Sequence, residues 1–170
     1  MRDLRFHGNG FIQVVLNPVT RMHIYSPNFL PTVQNARVHD HKFSFVSHVL
    51  YGRLHNMNYD MERDFGAHGL YRVDAETDKL RRTGTCRLHH FGTDIINAGE
   101  SYTWGGPLQF HDALSDELTV TVMTKTGVHE EYEPQVICIN DDPDPQDAFG
   151  CQPDYKSMRN EVKRVMRIIT

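Results

Sequence analysis

Short runs of β-branched and aromatic residues recur along the chain, and turns rich in Gly, Pro, Asn and Asp separate them. Runs of this length with alternating apolar and polar positions are typical of strands that bury one face. The pattern predicts strands over residues 11–16, 21–25, 43–51, 54–59, 69–74, 79–83, 85–91, 94–97, 101–104, 118–124 and 135–140. Many short strands at this spacing predict an all-β sandwich or barrel.

The C-terminal end follows a different pattern. Apolar side chains recur there at the spacing of an amphipathic helix, and most basic side chains occupy the remaining positions. The apolar positions are Tyr155, Met158, Val162, Val165, Met166 and Ile169. We expect a helix that packs this stripe on the β-structure. The acidic, proline-rich stretch before it predicts a solvated connector, so we divide the chain into a β-domain over 1–140 and a connector with helix over 141–170.

Composition narrows the classes of partner. The chain has 170 residues, with 18 basic and 22 acidic side chains and a net charge of −4 when histidine is neutral. This balance gives no electrostatic reason to expect binding to nucleic acid or to an anionic membrane. No apolar stretch reaches membrane-spanning length and the N-terminus has no signal-peptide pattern, which predicts a cytoplasmic protein. Cys86, Cys138 and Cys151 lack CxxC spacing, so neither a disulfide framework nor a cysteine-rich zinc site is expected.

The eleven histidines contain the most informative pattern of the sequence. His39 and His41 open a β-branched and aromatic run that ends at Gly52, and we interpret residues 38–52 as one strand. Because alternate side chains of a strand share a face, the two imidazoles would point the same way. Imidazoles placed like this can bind one borderline metal ion, such as Fe, Zn, Ni or Cu. His111, ahead of a later predicted strand, offers a third nitrogen ligand.

Two motifs resemble those of the cupin superfamily. In the first cupin motif, His-x-His precedes a glutamate and then a glycine; in the second, a Gly- and Pro-containing turn precedes a histidine. The matching positions are His39, His41 and Gly52 in the first motif, and residues 99–107 with His111 in the second. Phe45 occupies the position of the glutamate. The resemblance covers residues 20–125.

The resemblance implies a double-stranded β-helix, or jelly-roll barrel, with a metal inside its mouth. It makes His39, His41 and His111 the ligands. Because Phe45 replaces the acidic ligand, the site is similar to the three-histidine Fe(II) centre of the thiol dioxygenases in the same superfamily. Neutral ligands leave the double charge of the ion uncompensated, which favours an anionic co-ligand. Loss of the metal altogether is the other consequence that Phe45 allows.

Several further side chains are candidates for contacts to a substrate or to the ligands. They are His55, His89, His90, Tyr102, Trp104, Arg53 and Arg87, with Phe43 and Phe45 as aromatic lining of the pocket. Because side chains of a strand alternate between its faces, either His89 or His90 would point inward. Arg53 or Arg87 could hold a carboxylate or phosphate. The same alternation places His48 outward. No pattern singles out His7, His23, His68 or His129.

These features predict a mononuclear Fe(II)-dependent oxygenase that acts on a small molecule. Two alternatives stay open. One is a non-catalytic cupin that binds or sequesters a nucleotide-like or sugar-like ligand, and the other is a Lewis-acid isomerase or hydrolase that uses Zn, Ni or Mn. The strand-like N-terminus could pair with a second copy, so we also consider a homodimer.

Overall fold

A computed structural model describes residues 4–31, 35–74, 77, 79–141 and 153–170. The strands in these ranges are β1 (Leu4–His7), β2 (Phe11–Val15), β3 (Thr20–Tyr25), β4 (Val38–His39), β5 (Phe43–Tyr51), β6 (Arg53–Val73), β7 (Leu80–Asn97), β8 (Ser101–Trp104), β9 (Phe110–Leu114), β10 (Thr119–Val128) and β11 (Gln135–Cys138). A 3₁₀ turn follows at Ile139–Asp141, and helix α1 spans Tyr155–Ile169. Residues 142–152, which include Cys151 and most of the predicted connector, lie outside the described ranges.

The strands form two antiparallel sheets. The six-stranded sheet has the order β1-β2-β3-β10-β5-β8, and the five-stranded sheet has the order β11-β4-β9-β6-β7, with an additional pairing of β6 to β11. From β3 to β6 and again from β7 to β11, the chain alternates between the two sheets. The prediction of an all-β fold with a C-terminal helix is therefore confirmed.

A mixed cluster shows that the two sheets pack face to face. Phe11, Tyr25 and Val49 come from the six-stranded sheet, and Leu54 and Ala113 come from the five-stranded sheet. Aliphatic and aromatic side chains of this kind are buried because their transfer out of water is favourable. The space between the sheets is thus apolar in this region, and the candidate site lies elsewhere in the same layer.

Helix α1 packs on the outer face of the six-stranded sheet. Its buried residues Met158, Val162 and Val165 join one cluster with strand residues such as Ile12 and Ile24. The helix begins with a cap, because the side chain of Asp154 accepts a hydrogen bond from the Ser157 amide. The predicted stripe is therefore correct at its centre, whereas Tyr155 and Met166 are exposed. Within the described ranges, no helix has both the length and the apolar character needed to cross a membrane.

Two strands are longer than the sequence predicts. β6 joins two predicted strands, and β7 joins three, into one antiparallel pair. The sequence misled because the gaps between predicted strands at residue 84 and at residues 92–93, which contain Gly84 and Gly92, lie inside β7. The interruption in β6 is instead a bulge: Arg63 and His68 both pair with Cys86, and Gly66 between them has a φ of +101°.

The interpretation of residues 38–52 as one strand is wrong. β4 belongs to the five-stranded sheet and β5 to the six-stranded sheet, so the chain crosses between the sheets at residues 40–42. His41 therefore lies in the crossing rather than on the strand that carries His39. Asp40, at the start of the crossing, is 1% exposed. Its carboxylate accepts hydrogen bonds that hold the crossing in place.

Candidate metal centre

Three histidines converge between the two sheets. One nitrogen from each of His39, His41 and His111 can be chosen so that all three lie within 4.8 Å of one another. His39 on β4 and His111 on β9 are direct cross-strand partners, which places their side chains on the same face of the sheet. His41 reaches them from the crossing, and its Nε2 lies 2.9 Å from Nε2 of His111.

Buried Asp40 fixes the crossing that carries His41. Its carboxylate accepts hydrogen bonds from the backbone amides of Gln135, at 2.6 Å, and Leu108, at 3.0 Å. The hydroxyl of Tyr132 donates a third. Burial raises the pKa of the Asp40 carboxyl, and these hydrogen bonds oppose the rise. Asp40 is thus a support for the neighbouring imidazoles, with its oxygens directed towards other groups.

The hydrogen-bond partners of two histidines determine their tautomers. Nδ1 of His39 lies 2.7 Å from the backbone oxygen of Arg37, which can only accept, so Nδ1 carries the hydrogen. The corresponding hydrogen on His111 points to Oδ1 of Asn56 at 2.5 Å. Both imidazoles therefore keep a lone pair on Nε2. Metal-binding histidines are commonly oriented in this way by carbonyl or carboxylate acceptors.

A chain of amides fixes the orientation of Asn56. The carboxylate oxygen of Asp94 accepts a hydrogen bond from the amide nitrogen of Asn58 at 2.8 Å. The oxygen of Asn58 then accepts from the nitrogen of Asn56 at 3.0 Å. This leaves the oxygen of Asn56 for His111. A carboxylate of β7 therefore sets the tautomer of a buried histidine on β9 through two asparagines of β6.

The geometry and donor set fit a divalent ion. Two nitrogens at about 2.1 Å from an ion and about 90° apart would be roughly 3 Å from each other, close to the 2.9 Å between Nε2 of His41 and Nε2 of His111. Burial lowers the pKa of both imidazoles well below the usual 6.5, and neighbouring His39 contributes in each case. They are consequently neutral at pH 7, as ligands must be.

Aromatic rings of the six-stranded sheet cover the histidines. Trp104 stacks on the imidazole of His111, with ring centroids 4.2 Å apart. Phe45 places its ring edge-to-face with His41 at 5.3 Å and is 4% exposed. Tyr102 lines a recess beside these histidines, and burial raises the pKa of its phenol to about 12. This wall limits the access of water to the imidazoles from one side.

A cavity of about 230 Å³, here called the outer cavity, lies beside the centre, and a recess of about 40 Å³ shares part of its lining. Both are lined by His39 and His41, and also by His23, for which the sequence indicated no role. His7 also lines the outer cavity, where its ring stacks on Phe11 at 4.5 Å. Burial is the main cause that lowers the pKa of His7 and of His23 to about 3.

Sequence reasoning missed His7, His23 and Arg21 as parts of this site. One signal was present for Arg21 and His23, since they occupy alternate positions of the strand predicted over residues 21–25. Alternation alone does not show which of two faces meets the histidines, because the other face of the same strands is also buried. The role of Asn56 in orienting His111 was not predicted.

The structure does not bring all predicted residues to the cavity. His55 neighbours Asn56 on β6 and therefore faces the opposite side of the sheet. Arg53 and Arg87 are exposed, and Arg87 forms an ion pair with Glu62. The prediction that His89 or His90 points inward is wrong, because both are exposed on the β6–β7 pair. A bulge near residue 91 shifts the register there, so simple alternation fails. His48 is exposed, as expected.

The remaining predicted residues lie at the centre or its cavity. Phe43 lines the outer cavity, and its ring lies 5.0 Å from that of His41. Phe45 and Tyr102 line the recess, whereas Trp104 covers His111 directly. Comparison of the whole chain with protein-family models and with curated protein sequences finds no match.

Proposed function

We propose that this protein is a mononuclear metalloenzyme that oxidises a small molecule. His39, His41 and His111 would hold Fe(II), and the small molecule would bind in the adjoining cavity. The observation that carries the proposal is the convergence of three imidazoles, two of which have Nδ1 directed to an oxygen acceptor. An imidazole that donates from Nδ1 presents the lone pair of Nε2 to an ion.

The strand order supports a fold of the cupin type. The chain passes repeatedly from one antiparallel sheet to the other, as in a jelly roll, and the histidines lie between the sheets. His39 and His111 belong to neighbouring strands despite their separation in sequence, as the two cupin motifs require. We therefore propose a double-stranded β-helix with its metal centre at residues of both motifs.

Each residue of the site has a separate task in this proposal. Fe(II) would supply redox chemistry with dioxygen, whereas Zn, Ni or Mn at the same ligands would act as a Lewis acid. Asn56 orients His111, and Phe45 and Trp104 exclude water from the covered side. Tyr102 keeps its proton at neutral pH, since its pKa is raised to about 12, and can donate a hydrogen bond.

One observation favours a second candidate function, a binding protein without metal. Nε2 of His41 and Nε2 of His111 are 2.9 Å apart, which is also the length of a hydrogen bond between two neutral imidazoles. In that arrangement the aromatic wall and cavity would hold a ligand without chemistry. The two candidates differ in one measurable property, the stoichiometric binding of an ion.

The test is elemental analysis of the protein purified without added metal or chelator. His41→Ala removes one proposed ligand, and His48→Ala is the matched control, because His48 is exposed and bonds to Ser101. We expect near-stoichiometric Fe in the wild type and in His48→Ala, and loss of the metal in His41→Ala. Oxygen uptake with a panel of small thiols and carboxylates then tests the reaction.

Each other result has a defined meaning. Stoichiometric Zn, Ni or Mn would contradict the oxygenase and support Lewis-acid chemistry at the same ligands. Full metal occupancy in His41→Ala would show that the ion is bound elsewhere. An absence of metal in the wild type, even after anaerobic reconstitution with Fe(II), would leave the binding protein.

A further inference from the structure

A group of cations surrounds the outer end of the cavity beside the histidines. Arg21 and Lys42 line the cavity itself. The ammonium of Lys125 lies 4.7 Å from the ring centroid of Phe43, which is also in the lining, and the Arg21 guanidinium lies 5.8 Å from the same ring. The three side chains come from β3, the crossing after β4, and β10, so the fold assembles them from distant parts of the sequence.

These cations have no carboxylate partner at ion-pair distance in the part of the chain that the structure describes. Arg21 donates a hydrogen bond to the amide oxygen of Gln13 at 3.2 Å. This bond satisfies one N–H group of the guanidinium but does not neutralise its positive charge. The carboxylate of Asp40 also borders the cavity, yet it is engaged by other donors. Glu133, near the rim, already pairs with Arg72.

The electrostatic effects agree with this geometry. Burial and nearby Arg5 lower the pKa of Arg21. Burial, followed by Arg21 and Lys42, lowers the pKa of Lys125, and the nearby carboxylate of Glu130 opposes this shift. Partly buried cations that repel one another are destabilising unless an anion compensates them. An oxyanion placed among them would form charge-assisted hydrogen bonds with the guanidinium fork.

The cavity leads from this rim to the three histidines. Arg21, His23 and Tyr25 occupy alternate positions of β3 and therefore point the same way, with about 7 Å between successive side chains. His23 lines both the outer cavity and the recess. Its Nε2 is buried and has no hydrogen-bond partner in the described structure. A buried polar atom of this kind needs a partner, and a bound molecule can supply it.

We propose that the cavity binds a small anion whose carboxylate or phosphate is held by Arg21 and Lys42. The body of the molecule lies between the rings of Phe11 and Phe43, and Nε2 of His23 hydrogen-bonds to it. Its other end reaches the three histidines, and only this last part rests on the proposed function. A volume of about 230 Å³ is below the range of about 300–1,000 Å³ typical of drug-sized ligands, so the molecule is metabolite-sized.

The experiment measures anion binding in metal-free protein, so that an ion cannot itself attract the probe. Inorganic phosphate, benzoate and the neutral counterpart benzyl alcohol are titrated calorimetrically at low ionic strength. Arg21→Gln is compared with Arg53→Gln, a matched control whose guanidinium is exposed and outside the cavity lining. Lys42→Gln serves as a second variant, and far-UV circular dichroism checks that each variant is folded.

We expect phosphate or benzoate to bind the wild type and Arg53→Gln equally, and Arg21→Gln to bind it about tenfold more weakly or worse. Lys42→Gln weakens binding less, and added NaCl weakens it further. Tighter binding of phosphate assigns a phosphate ester, and tighter binding of benzoate assigns a carboxylate with a flat body.

The inference is overturned if neither anion binds, if folded Arg21→Gln and Lys42→Gln both bind like the wild type, or if benzyl alcohol binds as tightly as benzoate. Metal content measured on untreated samples of the same proteins separates the two proposals. Anion binding without metal uptake would contradict the metalloenzyme and keep the anion site. Metal uptake without anion binding would contradict the anion site alone.

Discussion

The two faces of strands β2 and β3 have opposite characters. Ile12, Val14 and Ile24 on the outer face are at most 3% exposed and pack against helix α1. Alternating with them, Gln13 and His23 face the cavity. The outer face is uniformly apolar, whereas the inner face carries polar groups in an environment that lowers the pKa of His23 to about 3.

This contrast separates stability from function within single strands. Burial of aliphatic side chains on the outer face stabilises the fold. Burial of an imidazole on the inner face without a partner is destabilising, because the polar atom loses its hydrogen bonds to water. The orphaned Nε2 of His23 is therefore better explained by what the cavity binds than by the stability of the sheet.

The largest effect should come from removing apolar volume on the outer face. Ile24→Ala deletes a fully buried side chain, and we expect the free energy of unfolding to fall by about 2–5 kcal/mol. Leu50→Ala, at an exposed position, is the control. Urea denaturation measures the loss, and metal content of the folded fraction should not change. A folded Ile24→Ala protein without metal would show that the two faces are not independent.

A smaller effect, confined to the metal centre that the inner face meets, is expected from Asn56→Leu on β6. The leucine cannot accept the hydrogen bond from Nδ1 of His111, so the imidazole loses its fixed tautomer and metal affinity falls by about 10–100-fold. Asn56→Asp keeps an acceptor and should retain most of the affinity. Competition with a chelating dye measures both values. Equal affinity in wild type and Asn56→Leu would exclude a role of the amide chain.

Near neutral pH, the smallest effect is a pH dependence that belongs to the inner face alone. The pKa of His23 is about 3 in the folded protein because of burial and the nearby Arg21 charge, against about 6.5 when unfolded. Protonation thus favours the unfolded state, and stability declines as the pH falls from about 6.5 towards 3, by at most about 1.4 kcal/mol per pH unit.

The measurement compares unfolding of metal-free wild type and His23→Gln across this pH range. Carboxylates titrate in both proteins, so the difference between the two curves isolates His23. We expect the stability of His23→Gln to fall less steeply. Parallel curves would mean that His23 is hydrated and titrates normally.

Much of the fold could be predicted from local pattern. Two-residue alternation and turn residues indicated the strands, and three- to four-residue spacing indicated α1. The long pair of β6 and β7 was missed because glycines were interpreted as turns. Whether a glycine ends a strand depends on the partner strand, which no local pattern contains.

The three histidines were found for a partly mistaken reason. The sequence placed His39 and His41 on one strand, whereas the chain changes sheet between them. Their spacing still brings them together, because buried Asp40 holds the crossing through donors from residues 108 and 132–135. Those donors lie far along the chain, so their contribution could not be read from the motif.

Periodicity and residue chemistry were enough to predict an all-β chain with a C-terminal helix and a set of histidines suited to a metal. Packing determines which face of β3 meets those histidines, and it places Arg21 and His23 at the site. It also leaves Arg53 and Arg87 exposed and outside the cavity lining. The face of β3 could not be predicted because both of its faces are covered, one by α1 and one by the opposite sheet. Alternation defines two faces of a strand, but only packing determines what each face contacts.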